Sequence, residues 1–266
     1  MRRRELNYIR KRVLEGDLLF GIGATLGSSL TVEMIAQAGY DWVWIDCEHG
    51  VGDHSELIAQ MQAVSIGQAA AVVRIAWNEA PRFKRVLDLG AAGIMVPYVN
   101  TAAEAEQAVR AMRYPPMGVR GVAKFTRACG FGEQFGEYFV RANDNLLTVV
   151  QIETAEAVHN AEAIAAVDGV DVLFIGPLDL SVNMGIAEAY EHPDFVAAMG
   201  KVVSACRHHG KAAGILAPSA KMLDKCVEGG FTFLVVGSDG AILAKALHDT
   251  ANTCAQLRSV WSARER

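Results

Sequence analysis

Two stretches decide the fold: Leu147-Thr148-Val149-Val150-Gln151-Ile152-Glu153-Thr154, and Val172-Leu173-Phe174-Ile175-Gly176-Pro177-Leu178-Asp179-Leu180-Ser181. Each opens with an apolar run rich in β-branched residues, and each run leads into a carboxylate. Continuous apolar runs of this length mark parallel strands buried on both faces. The C-terminal ends of such strands are where α/β barrels carry their chemistry. Two acids delivered to one rim suit a hard divalent cation, which takes oxygen ligands.

Working outward, similar runs recur along the chain. Strands are expected at Leu18–Ala24, Asp41–Asp46, Ala70–Ile75, Gly93–Pro97, Leu146–Glu153, Val170–Gly176, Ala212–Leu216 and Phe231–Gly237. Segments with helical spacing separate them: Leu30–Ala38, Glu79–Leu89, Ala102–Met112, Ala155–Val167, Phe195–His209 and Ser219–Glu228. Gly39, Gly90, Gly210 and Gly229 follow several of these as C-cap glycines do. Eight strand–helix repeats in 266 residues predict an α/β fold, a single (β/α)8 TIM barrel spanning 1–266. Residues 239–266 continue as a helical tail, placed either on a neighbouring subunit or on the barrel's own surface. Residues 114–145 form a long connection rich in Gly and Pro, expected near the rim with a role in function. No Gly-x-Gly-x-x-Gly turn follows a strand, which disfavours a dinucleotide site.

Composition narrows the function. The chain is 52% hydrophobic and 21% charged, enough for a large core, and its net charge of −5 offers no basic field for nucleic acid. Five scattered cysteines without C-x-x-C spacing fit a reducing compartment. No signal peptide or membrane span is visible, so the cytoplasm is expected.

Polar groups gather at the expected strand ends. His49 follows the second strand, Arg74 ends the third, and Gln151 and Glu153 share one face of the fifth because side chains alternate along a strand. Asp179 follows the sixth. Arg74 either stabilises negative charge in a reaction or pairs with Asp46, and the two roles are compatible.

These motifs, Trp44-Ile45-Asp46-Cys47-Glu48-His49-Gly50, Val73-Arg74, Val149 to Thr154 and Ile175 to Ser181, resemble those of the HpcH/HpaI family of class II, metal-dependent pyruvate aldolases. Arg113-Tyr114-Pro115-Pro116-x-Gly118-x-Arg120-Gly121 and Gly214-Ile215-Leu216 match as well, and the resemblance runs from about Phe20 to Ala246. It implies that Glu153 and Asp179 bind a divalent cation (Mg²⁺, Mn²⁺ or Co²⁺) that chelates pyruvate and stabilises its enolate as a Lewis acid. It implies that Arg74 lies beside the pyruvate keto oxygen and that Gln151 and the backbone around Gly176, Pro177 and Leu178 contact substrate. His49 is implied as the acid/base, acting through a bound water, with Asp88 as its carboxylate partner from an adjacent subunit. Leu216 and the 114–145 connection are implied to border the aldehyde. The usual assembly in the family is a homohexamer, a trimer of dimers, with C-terminal helices exchanged.

Two departures stand out. Leu178 replaces the small residue common in the Gly-Pro-x-Asp-Leu turn, and the connection around Arg127 differs from better-known members. Arg127 is either a contact for an anionic acceptor or an ordinary surface arginine. The expectation is therefore a cytoplasmic lyase splitting 4-hydroxy-2-oxo acids into pyruvate and an aldehyde, with no Schiff-base lysine. The alternatives are a related enzyme acting on oxaloacetate by citrate-synthase-like condensation or decarboxylation, and a barrel with a dead site kept as a binding module.

Overall fold

The computed structural model describes residues 8–217 and 219–264. After α1 (Tyr8–Leu14) come β1 (Leu19–Ala24), α2 (Ser29–Gln37), β2 (Trp42–Asp46), α3 (His54–Ala63), β3 (Ala70–Arg74) and α4 (Ala80–Asp88). There follow β4 (Gly93–Val96), α5 (Ala102–Met112), α6 (Phe135–Asn145), β5 (Leu147–Ile152), α7 (Ala155–His159), α8 (Ala161–Ala165) and β6 (Val172–Ile175). The chain closes with α9 (Pro177–Asn183), α10 (Pro193–His208), β7 (Ala212–Leu216), α11 (Ala220–Gly229), β8 (Phe233–Ser238) and α12 (Asp239–Arg264). The eight strands form a closed barrel in sequence order, every pair parallel, with β8 returning to β1. The expected (β/α)8 barrel is the fold, and each expected strand matches an observed one to within two residues at either end.

Side-chain parity divides the apolar residues into two bodies. One lies between sheet and helices and contains residues such as Val43, Val73, Val150, Leu173 and Ile215. The other fills the barrel, where Trp42, Trp44, Val72, Met95, Val149, Phe174, Phe233 and Val235 point inward. Trp42 and Phe233 stack at 4.0 Å between ring centroids, and Phe174 meets Trp42 edge-on at 6.5 Å. This aromatic plug is possible because glycines face it: a Cβ on Gly21 would lie 2.3 Å from the Trp42 ring, and one on Gly214 2.5 Å from Phe174.

Helix α1, absent from the sequence expectations, closes the N-terminal end of the barrel with Ile9 and Val13. Its Arg10 donates Nε and Nη2 to Asp171, and Asp171 in turn accepts from the Thr148 backbone. Helix α3 is also additional, opened by a capping box in which Asp53 and Glu56 each accept from the other's backbone N–H. The helix expected over Ala155–Val167 is interrupted at Asn160, whose amide donates to the Asn100 carbonyl.

The connection after α5 overturns one expectation. Parallel strands require α5 to run from the C-terminal rim back to the opposite end, so residues 113–134 lie at the N-terminal end and not at the rim. There Arg127 donates to the carbonyls of Leu89 and Met61 and to Ser65 Oγ, tying down the ends of α4 and α3. It is a clamp between helices, away from the rim of its own barrel. Part of the segment is the helix α6, so the irregular stretch is shorter than expected.

Gly21→Ala should overpack the barrel and cost about 1–3 kcal/mol. Chemical denaturation checks this as a lowered midpoint at unchanged slope.

Candidate active site at the barrel mouth

Inward-facing ladders that are apolar at the bottom end in polar groups at the top. Trp42 and Trp44 lead to Asp46, Ala70 and Val72 to Arg74, and Leu147 and Val149 to Gln151, with Glu153 just beyond. All four polar groups are buried. Such groups persist in an interior only when partnered, and the partners define two electrostatic halves.

Arg74 occupies the centre. Its Nε and Nη2 donate to the two oxygens of Asp46 at 2.9 and 2.8 Å, and Nη1 lies 2.9 Å from Glu48 Oε2. The guanidinium also sits 4.4 Å from the centroid of the Trp44 ring, a cation–π contact. Asp46 Oδ1 further accepts from the backbone of Glu48 and His49, shaping the turn that carries them. Arg74 is therefore fixed in direction and its charge is matched twice.

The second half is acidic. Gln151 donates to Glu153 Oε1 at 2.6 Å, and the Tyr98 backbone donates to Glu153 Oε2 at 3.3 Å. The Tyr98 hydroxyl reaches Asp179 Oδ1, also at 3.3 Å. Tyr98 holds both contacts from a left-handed backbone, φ 50°. Burial first, and then the facing charge of Asp179, push Glu153 up to about 8. The same causes, burial then Asp179, raise the Tyr98 hydroxyl to about 12. Glu48 is raised as well, mainly by burial and against the pull of Arg74.

Asp179 arrives in the first turn of α9, where Pro177 is buried and Leu178 is exposed. Gly176 is required at that turn, because a Cβ there would lie 2.4 Å from Glu153 Oε1.

The acidic half fits a hard cation. Burial and the facing charge of Asp179 raise the cost of ionising Glu153, the nearest guanidinium is already engaged twice, and Gln151 Oε1 is buried without a hydrogen-bond partner. A divalent ion would answer all three, and every donor in reach is oxygen.

Arg74, Gln151, Glu153, Gly176, Pro177, Leu178 and Asp179 thus meet at one mouth, and Leu216 joins them from the end of β7. His49 stands exposed on the β2–α3 turn with no side-chain hydrogen bond among the described residues. Asp88 is elsewhere. As the last residue of α4 it lies at the N-terminal end, held at 2.9 Å by the fully buried Arg120, itself packed against Tyr114 and Tyr138. Tyr98 was not foreseen; the pointer was an aromatic residue two positions beyond β4. Glu48 pairs with Arg74. Cys47 is pushed up to about 11 by burial and is a packing residue, not a nucleophile. His208 and His209 both reach Glu162 on the outer wall, away from the mouth.

The chain is similar to known proteins over most of its length. The model of the HpcH/HpaI aldolase/citrate lyase family matches residues 21–246. A 4-hydroxy-2-oxo-heptane-1,7-dioate aldolase of Escherichia coli is 39% identical over 240 residues, covering 90% of this chain and 92% of the relative. A 5-keto-4-deoxy-D-glucarate aldolase of Shigella boydii serotype 18 is 40% identical over 247 residues, covering 93% and 96%. The crystal structure of a family protein from Burkholderia cenocepacia J2315 superimposes with a TM-score of 0.89 at 35% identity, covering 94% of this chain and 99% of that one.

The raised Glu153 has a thermodynamic signature. In protein stripped of divalent ions the folded state keeps a proton that the unfolded chain releases above the ordinary value of 4.5. The native state binds the extra proton between the two values, so this contribution to stability is complete below 4.5 and is lost as pH rises through about 8. The melting temperature of chelator-treated protein should therefore fall across this window. Glu153→Gln should flatten the fall, and added divalent ion should oppose it; thermal denaturation in matched buffers measures all three.

Proposed function

The chain belongs to the HpcH/HpaI aldolase/citrate lyase family, and on that basis we propose that it is a carbon–carbon lyase reversibly cleaving 4-hydroxy-2-oxo acids to pyruvate and an aldehyde. The observation that carries the reading is the juxtaposition of a clamped cation, Arg74, with an acid pair, Glu153 and Asp179, that has no cation of its own. Relatives at 39 and 40% identity are named as aldolases, which favours cleavage over condensation with oxaloacetate.

Glu153 and Asp179 would hold a divalent cation, Mg²⁺, Mn²⁺ or Co²⁺. When bound, it supplies Lewis acidity that draws electron density from the 2-oxo group. The remaining work falls to the protein. In cleavage the 4-hydroxyl gives up its proton, the C3–C4 bond breaks, C4 departs as the aldehyde, and the electron pair passes into the enolate of pyruvate. Arg74 faces the enolate oxygen with a charge that Asp46 and Glu48 hold still, so little reorganisation is needed as negative charge develops. Gln151, oriented by Glu153, positions the substrate together with the backbone at Gly176, Pro177 and Leu178. His49 moves the proton, taking it from the 4-hydroxyl and supplying one to C3 to complete the methyl group; an imidazole titrates near neutrality and suits both steps.

His49 and Asp88 lie at opposite ends of one barrel, so a His49–Asp88 pair requires a second copy. This supports a homo-oligomeric active form, for which we propose the hexameric trimer of dimers. Helix α12 supports it too: over 26 residues only Asp239 is buried, while Leu247, Leu257, Val260 and Trp261 are exposed. No helix among the described residues is long and apolar enough to cross a membrane, and all five cysteines are unpaired. The cytoplasm is the proposed location.

Exchange of the pyruvate methyl protons in D₂O tests the reading. Exchange should require divalent ion, disappear in EDTA and drop by about 10²–10⁴-fold in His49→Ala, the usual range for a positioned acid/base. Exchange that persists without metal contradicts the proposal. If sites are shared between copies, His49→Ala and Asp88→Ala proteins that are separately inactive should regain activity when unfolded together and refolded, read as aldol cleavage.

A further inference from the structure

The outer wall of the barrel carries metal-ligating side chains of its own, apart from the acids of the mouth. Helix α10 ends in His208 and His209 follows it, while Glu162 stands on the neighbouring helix α8. A single carboxylate oxygen, Glu162 Oε1, meets both rings, His208 at Nδ1 and His209 at Nε2, the latter at 2.9 Å. The two imidazoles lie against each other with ring centroids 4.7 Å apart. All three donor atoms are within 4.8 Å of one another.

Stability gives little reason for this convergence. Glu162 and His208 are exposed and His209 is part-buried, and ion pairs in such positions contribute little. Two imidazoles and a carboxylate aimed at one point are what a transition ion requires. Donor atoms that each lie about 2.0–2.2 Å from such an ion stand roughly 3 Å from one another, and the His209–Glu162 separation already has that value. Exposed side chains need only small rotations to admit the ion between them. Imidazole suits zinc, copper and nickel, whereas carboxylate and water suit magnesium. The donor set is thus of a different kind from that of the mouth, where every donor in reach is oxygen.

We infer that Glu162, His208 and His209 form a peripheral site for a divalent ion such as Zn²⁺, Ni²⁺ or Cu²⁺, with water completing its coordination. The ion pins the end of α10 to α8. Neither the site nor its chemistry depends on the reaction proposed for the mouth.

Equilibrium dialysis of the full chain with Zn²⁺, in a large excess of Mg²⁺ to occupy the mouth, tests the site. The parent protein should bind one Zn²⁺ per chain more than the His208→Ala/His209→Ala double variant. Glu162→Gln should weaken that ion by about tenfold or more, since even an outer-shell change at a metal site commonly costs 10–100-fold. Glu153→Gln should leave it in place. With Cu²⁺, electron paramagnetic resonance should show nitrogen couplings in the parent that are lost in the double variant. Zn²⁺ should also raise the melting temperature of the parent and not that of the double variant, because an ion that binds only the folded state stabilises it. Pyruvate methyl exchange with Mg²⁺ should be the same in both outer-wall variants as in the parent, so the site and the aldolase reading are tested separately. Equal zinc in the parent and the double variant overturns the inference. Zinc that is lost in Glu153→Gln and kept in the outer-wall variants overturns it as well.

Discussion

Glu153 and Asp179 confront each other above an apolar plug, and much of the mouth is organised around their mutual repulsion. Glu153 is buried where water screens it poorly, so the protein must either protonate it or bring in positive charge. The nearby Arg74 does not neutralise them, because Asp46 and Glu48 hold it on its other sides. The result is a site that is strained electrostatically and well defined geometrically. Tyr98 bridges the two acids with a backbone N–H and a hydroxyl, and Gly176 gives Glu153 the room a Cβ would remove. Charge that is held but not matched is what a metal-assisted site requires, and the barrel provides the rigid walls for it.

The same parity that fills the barrel made much of this legible beforehand. Gln151 and Glu153 are two residues apart and must share a face. Asp46 and Arg74 continue inward ladders whose lower members are Trp42, Trp44, Ala70 and Val72. Strand ends in a barrel converge, so the residues could be assembled without coordinates. Tyr98 escaped because its role depends on a backbone conformation, not on a pattern of residue types. The pairing of Glu48 with Arg74 also left no trace in the sequence, since it depends on the turn that Asp46 sets by accepting from the Glu48 backbone.

The connection after α5 shows where pattern reading fails. Its length and glycines suggested a rim loop, yet a helix that returns to the N-terminal end leaves its successor there. Arg127 and Arg120 fasten the segment to α3 and α4 through carbonyls and Asp88, and these contacts between residues far apart in sequence leave no periodic trace. Topology alone would have corrected the placement, since a segment joining a helix to the next parallel strand lies opposite the mouth.

Topology also bears on the proposed assembly. His49 stands exposed at one end, and Asp88 waits at the other with its Oδ1 fixed by Arg120 and its side chain partly open to solvent. Arg120 is fully buried between two tyrosines. Such a cation is costly to bury, and its one carboxylate partner is at the edge of the molecule. A surface acid needs no support of this kind to remain soluble. It is consistent with a carboxylate presented in a fixed direction to another copy, so that the barrel end lacking a mouth completes the mouth of its neighbour. On this view the N-terminal end, ordinarily the part of such a barrel concerned with stability, has been given a share in the chemistry.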